Sequence, residues 1–316
     1  MTAEFVTVFT QWLGPGRGGR SLRARLYFIV MPYPTLLPPA ILAAHLTDPA
    51  WVVFDCRFNL ADPGSGVRAY RAGHVPGAHY ADLDQHLSGP KAPGSGRHPL
   101  PDPAALAARL GAWGVGATTQ VVAYDDQGGV FAARLWWLLR WLGHDAVAVL
   151  DGGWARWRRE GGPEATVVPV ASRADFPTRP RPDRIVDAAA VHASLSSGRY
   201  RVVDARSPER FRGEVEPLDP VAGHIPGARN HPYQANLDAD GNFLSADRLR
   251  EGFAHCLEGC TAAQVVQMCG SGVSACHNLL AMERAGLSGA RLYPGSWSEW
   301  VADPGRPIDR GVGDRG

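Results

Sequence analysis

The strongest constraint on this chain is that it repeats itself. WVVFDCR at 51–57 returns as YRVVDAR at 200–206, and AGHVPGA at 72–78 returns as AGHIPGA at 222–228. VVAYDDQGGV at 121–130 finds a counterpart in VVQMCGSGV at 265–273, and LDGGWARW at 150–157 in YPGSWSEW at 293–300. The four pairs keep their order at offsets of 143 to 150 residues. Chance similarity does not preserve order, so a unit of roughly 130 residues is duplicated. A chain of 316 residues has room for two such domains.

Each copy alternates short β-branched runs with helical stretches. Residues 52–55, 121–125 and 146–150, and again 202–204, 265–268 and 290–293, are apolar runs of strand length. Residues 131–142 and 274–285 carry apolar side chains at helical spacing. Strands apolar on both faces call for a parallel sheet covered by helices, so the expected fold class is α/β, with tandem duplicated domains. Ligand sites in such sheets lie beyond the C-terminal strand ends. The expected first domain covers 36–165 and the second 185–305. Between them 166–184, rich in proline and arginine, reads as an extended linker, and 306–316 as a tail. Residues 1–35 read as a disordered or transit-type extension, or as an upstream start with Met31 the natural one.

Composition excludes other classes. A formal net charge of +1 lacks the basic excess of a nucleic-acid binder. No apolar run reaches the ~20 residues of a membrane span. Five cysteines, an odd and sparse set, suit a reducing cytoplasm rather than a disulfide framework. Cys256 and Cys260 form a CxxxC with no second pair at finger spacing, so zinc is not expected there.

The chemistry concentrates in CGSGVSACHNLL at 269–280. Cys269 follows a strand-like run and heads a glycine-rich turn. Gly270 and Gly272 can take positive φ there, curling backbone N–H groups toward one point. A helix from Ser274 adds its positive N-terminal end. A thiol in that cradle ionises readily, and the thiolate is the nucleophile. The first copy has Asp125 at this position, so only the second copy can form a covalent sulfur intermediate.

With AGHIPGA and ARLYPGSWSEW (290–300) the chain resembles a two-domain rhodanese-type sulfurtransferase over about residues 36–305. The loop CGSGVSA is similar to that of the 3-mercaptopyruvate sulfurtransferases, whereas thiosulfate sulfurtransferases carry cations there. The resemblance implies that Cys269 forms a persulfide. Ser271 would share a proton with His74 of the first domain, with Asp62 the nearest acidic candidate behind it. It also implies that Arg210, in ERFRG, binds the donor's carboxylate while Gly270, Gly272, Val273 and Ser274 cradle the donor. A second family arginine falls at about Leu218. Implied partners are a small-molecule sulfur donor and a thiol acceptor such as thioredoxin or a low-molecular-weight thiol, or cyanide, with no cofactor. Thiosulfate is the alternative donor.

Competing readings fare worse. A Cys-loop phosphatase needs an arginine at the sixth position after the cysteine, and here that is Ala275. A non-catalytic binding module would ordinarily have lost the cysteine. His224, and the Asp55–Arg57 and Asp204–Arg206 pairs present in both copies, read as structural, and Arg134 with LWWLLRW reads as a packed amphipathic helix.

Overall fold

A computed structural model describes residues 32–170 and 172–312; the remainder of the expected N-terminal extension, 1–31, lies outside the described residues. In chain order the first domain contains β1 (Leu36–Leu37), α1 (Pro39–Ala44), β2 (Trp51–Asp55), α2 (Ser65–Ala72) and β3 (His79–Tyr80). It continues with α3 (Pro103–Ala112), β4 (Gln120–Tyr124), α4 (Ala132–Trp141), β5 (Val147–Leu150) and α5 (Gly153–Arg159). Its strands form one parallel sheet in the order β1-β5-β4-β2-β3. The second domain repeats the plan with α6 (Ala188–Ser197), β6 (Arg201–Asp204), α7 (Pro208–Arg212) and β7 (Arg229–Asn230). There follow α8 (Ala246–Leu257), β8 (Val265–Met268), α9 (Ser274–Arg284), β9 (Arg291–Leu292) and α10 (Ser296–Trp300). The second sheet runs β7-β6-β8-β9, again parallel. Ile185 bridges Leu292 in parallel, standing where β1 stands in the first sheet. The duplication in the sequence is thus a duplication of topology.

The two domains share a core. Every residue of β4 and of β8 is buried, as strands covered on both faces must be. The helices that follow these two strands, α4 and α9, pack against each other between the domains. Nine of the ten residues of α4 are buried, Arg134 among them. The amphipathic helix expected there is therefore buried nearly all round, because one flank meets its own sheet and the other meets α9.

The connecting segments lie on the domains rather than free of them. Along the linker, the N–H groups of Ala174, Arg179 and Arg181 donate to Gly111, Leu142 and Trp141 carbonyls at 2.8–2.9 Å. Phe176 is buried with its ring 5.6 Å from that of His144. The expected tail also has a place: Asp309 and His224 exchange two backbone hydrogen bonds of 2.9 Å, as Ala165 and His74 do at 2.8 and 2.9 Å in the first domain.

One loop of the first copy is closed around its own acid. After β4, the fully buried Asp125 carboxylate accepts the N–H groups of Gln127, Gly129, Phe131 and Ala132 at 2.8–2.9 Å. Burial pushes its carboxyl above the usual range, and these amides pull it back down. Asp125→Ala would strand the four donors in a dry site. We expect it to lower unfolding stability by about 3 kcal/mol or more, read from urea denaturation, with Asp125→Asn losing less.

Candidate active site

β8 delivers Cys269 to the C-terminal edge of the second sheet, where its side chain is 2% exposed. The N–H of Gly272 donates to Cys269 Sγ at 3.1 Å. Gly272 has φ +76°, and a Cβ there would sit 2.4 Å from the Pro294 carbonyl oxygen, so glycine is required. Gly270, expected to share that conformation, does not take a positive φ. It faces two guanidinium groups instead: a Cβ would lie 2.8 Å from Arg97 Nη2 and 3.6 Å from Arg210 Nη1 and Nη2.

The backbone of Cys269 is fixed from α10. Its carbonyl accepts the Trp297 N–H at 3.0 Å, and its N–H donates to Ser296 Oγ at 3.1 Å. Ser296 has φ +54° and is the single non-glycine with positive φ among the described residues. Its first-copy counterpart is Gly153, φ +52°, where a Cβ would stand 2.3 Å from the Asp125 carbonyl oxygen. Local strain is thus tolerated where a hydroxyl is needed to hold the nucleophile's backbone.

The proton relay differs from expectation. Ser271 Oγ lies 2.7 Å from Nδ1 of His98, a first-domain residue, and not near His74. His74 is fully buried with Nδ1 on the Tyr70 carbonyl at 2.7 Å and Nε2 on that of Val167 at 3.2 Å. Its ring stacks on Tyr70, as His224 stacks on Phe211, so both clasp their own domains. Asp62 is half-exposed and pairs with Arg68. The acid beside His98 is Asp84, whose Oδ1 is 3.3 Å from His98 Nε2. That buried oxygen has no hydrogen bond among the described residues. A proton on Nε2 facing Asp84 leaves Nδ1 to accept the Ser271 hydroxyl proton. Burial first, then the Arg134, Arg97 and Lys91 charges, pull the His98 pKa down to about 3, so the ring is neutral.

Cations reach the loop from outside it. Arg210 lines the cleft and donates to Glu216 at 2.6 and 3.2 Å. Arg97 lines the opposite wall and pairs with Asp219. Arg206, beneath them, bonds Asp204 at 2.6 Å and Glu216 at 3.2 Å. Arg134 is fully buried without a carboxylate partner and donates to the carbonyls of Gly272 and His98 at 3.1 Å. The loop from Gly270 to Ser274 has no charged side chain, yet it is not without positive potential. The cleft itself, about 160 Å³, is lined by Leu60, Leu83, Gln127 and Phe131 from the first domain and Leu218, Tyr233, Val273 and Ser274 from the second. A larger depression of about 350 Å³, between α6 and β6, contains none of the relay residues.

His231, His255 and Cys256 bring ligand-type atoms within 4.8 Å of one another. The ring nitrogens of His255 face the Gly252 and Asn230 carbonyls at 3.0 and 3.1 Å, and His231 Nε2 lies 2.9 Å from Asn236. Arg229 and Arg201 beside the Cys256 thiol oppose a cation there.

A buried cysteine at the head of a helix-capping loop, with a hydroxyl–imidazole couple and guanidinium groups converging on it, defines a nucleophilic transferase site. A family model for the rhodanese-like domain matches residues 38–160 and 187–303, and the chain belongs to that family, with two copies of the domain. A Pseudomonas aeruginosa protein named "Probable 3-mercaptopyruvate sulfurtransferase" is 50% identical over 87% of this chain and 98% of its own. An Arabidopsis thaliana protein, "Thiosulfate/3-mercaptopyruvate sulfurtransferase 1, mitochondrial", is 32% identical over 85% of this chain and 76% of its own. Among solved structures, the 3-mercaptopyruvate sulfurtransferase from Leishmania major superposes with a TM-score of 0.75 at 32% identity. It covers 84% of this chain and 74% of its own.

The neutral state of His98 has a measurable consequence. An unfolded chain protonates this histidine near pH 6.5, whereas the folded one resists to about 3. Between those values the unfolded state binds more protons, so stability falls as pH falls. Wild-type protein should lose stability from about pH 6.5 downward, and His98→Gln should lose less. His98 imidazole resonances that titrate near 6.5 in the folded protein would contradict this.

Proposed function

We propose that the chain is a 3-mercaptopyruvate sulfurtransferase. The observation that carries this reading is the 2.7 Å contact between Ser271, two residues after Cys269, and His98 of the opposite domain. The Cys269 thiolate attacks the donor's thiol sulfur and the carbon–sulfur bond breaks, leaving a Cys269 persulfide and the enolate of pyruvate. The thiol proton of mercaptopyruvate balances the step when it is passed to the enolate carbon, and Ser271 with His98 provides the path. The loop amides and the positive end of α9 hold the anionic sulfur. A second thiolate then attacks the outer sulfur and releases Cys269, a two-step exchange. Acceptors are a thiol, such as thioredoxin or a low-molecular-weight thiol, or cyanide.

Thiosulfate is the second reading. Arg97 and Arg210, both reaching the space beside Gly270, favour it, since they supply the cations a dianion needs. Sulfite, however, leaves without needing a proton, so that reading gives the Ser271–His98 couple no task. Among the described residues no helix is long and apolar enough to cross a membrane. The five cysteines are free, which suits the cytoplasm, where we place the chain.

Mercaptopyruvate should exceed thiosulfate by at least ~10-fold in kcat/KM, about 1.4 kcal/mol, when the two are measured side by side. Ser271→Ala should narrow that gap by slowing mercaptopyruvate more. Equal efficiency in the wild type would hand the assignment to thiosulfate. Mass spectrometry after donor treatment should find one added sulfur on Cys269. Burial raises the Cys276 thiol to about 12 and holds the Cys56 thiol well above the usual thiol range, so neither should be loaded. Cys269→Ser should abolish loading and turnover.

A further inference from the structure

We propose that Arg97, carried by the first domain, grips the donor's carboxylate jointly with Arg210, so that donor recognition is assembled across the domain interface. This rests on the mercaptopyruvate reading above. Both guanidinium groups reach the space beside Gly270, the residue after Cys269: a Cβ there would meet Arg97 Nη2 at 2.8 Å and Arg210 Nη1 and Nη2 at 3.6 Å. Each has donors spent on acids: Arg97 Nη1 on Asp219, Arg210 Nε and Nη2 on Glu216, with Arg210 Nη2 also 3.4 Å from Asp219. Arg97 Nη2 and Arg210 Nη1 have no hydrogen bond among the described residues, and both lie on the Gly270 side. A carboxylate has two oxygens and can accept one N–H from each fork.

The pair is also held for that task. Asp219 joins the two arginines, and its side chain is 3% exposed. The backbone N–H of Arg97 donates to Ser298 Oγ at 3.0 Å, tying its loop to α10, the helix that holds Cys269. Arg97 and Arg210 side chains keep 25% and 19% exposure, enough for a small anion to reach them. Asp219 and Glu216 cancel the two charges at rest, which disfavours unselective anion capture and leaves geometry to select a planar carboxylate.

Arg97 adjoins His98, so the test must separate recognition from the relay. Pyruvate has the carboxylate but no sulfur to transfer, and its inhibition constant reports the clamp alone. In Arg97→Gln that constant, and KM for mercaptopyruvate, should rise roughly 10- to 100-fold, while kcat stays within about threefold of wild type. Arg97→Lys, which keeps the charge and the fold, should fall between. An unchanged pyruvate constant in both variants overturns the proposal. A fall in kcat with unchanged KM also overturns it, since Arg97 would then act through His98. Mass analysis of the wild type separates the two levels. If mercaptopyruvate leaves no added sulfur on Cys269, the functional reading fails; if it does and the pyruvate constant is unmoved in the variants, only the role of Arg97 fails.

Discussion

The structure turns on what the loop after the middle strand of each sheet does with a negative charge. In the first copy Asp125 fills the loop with a carboxylate held by four amides. In the second, a shorter loop holds a sulfur toward which the N–H of Gly272 points. The first loop shows, within the same chain, that this turn can aim several backbone N–H groups at one buried acceptor. Having its own carboxylate, that loop has no capacity left for a ligand. The second loop has no built-in acid, so its amides can serve a sulfur that changes bonding partners. One copy thereby became scaffold and the other a site.

The pairing of α4 with α9 makes the two loops neighbours and lets the scaffold contribute chemistry. Arg134 is the join. Its guanidinium spans the carbonyls of Leu87, His98 and Pro99 in one domain and of Gly272 in the other. A buried cation without an acid is costly, and here carbonyl dipoles compensate it. The same charge helps keep His98 neutral. Separating the domains would expose this arginine, break the Ser271–His98 contact and remove Arg97 from the cleft together.

Much of this was legible in the sequence, and the failures have a common cause. The repeat announced the topology, because two copies of one fold keep the residues that both need. Cys269, Ser271 and Arg210 stood out where the copies differ or where the loop chemistry is local, and all three line the cleft. His74 misled because it belongs to a repeated motif. A residue kept in both copies serves what both copies share, and His74 and His224 make the same clasp. The first domain's contribution to chemistry had to come from somewhere without a counterpart. Asp84, Arg97 and His98 lie in the long stretch between β3 and α3, which has no strand or helix period of its own. Only the fold brings that stretch onto the loop. Its signal was RHPLP at 97–101, a histidine beside an arginine absent from the second copy.

The same asymmetry accounts for Ser296. Position 153 in the first copy must be glycine, since the Asp125 carbonyl leaves no room for a side chain. The second copy keeps the left-handed backbone but admits a serine, and its hydroxyl takes the N–H of Cys269. That N–H is therefore unavailable to a sulfur anion, so charge on the sulfur must be met from the Gly272 side of the loop and from the helix start. On the mercaptopyruvate reading the donor would enter between Arg97 and Arg210, which line the cleft together with Leu60 and Leu218. A persulfide formed on Cys269 would keep its inner sulfur against the loop, where the Gly272 N–H points, and its outer sulfur toward the cleft. On that reading an acceptor thiol would use the path the pyruvate has left, and one small cleft would serve both halves of the proposed reaction.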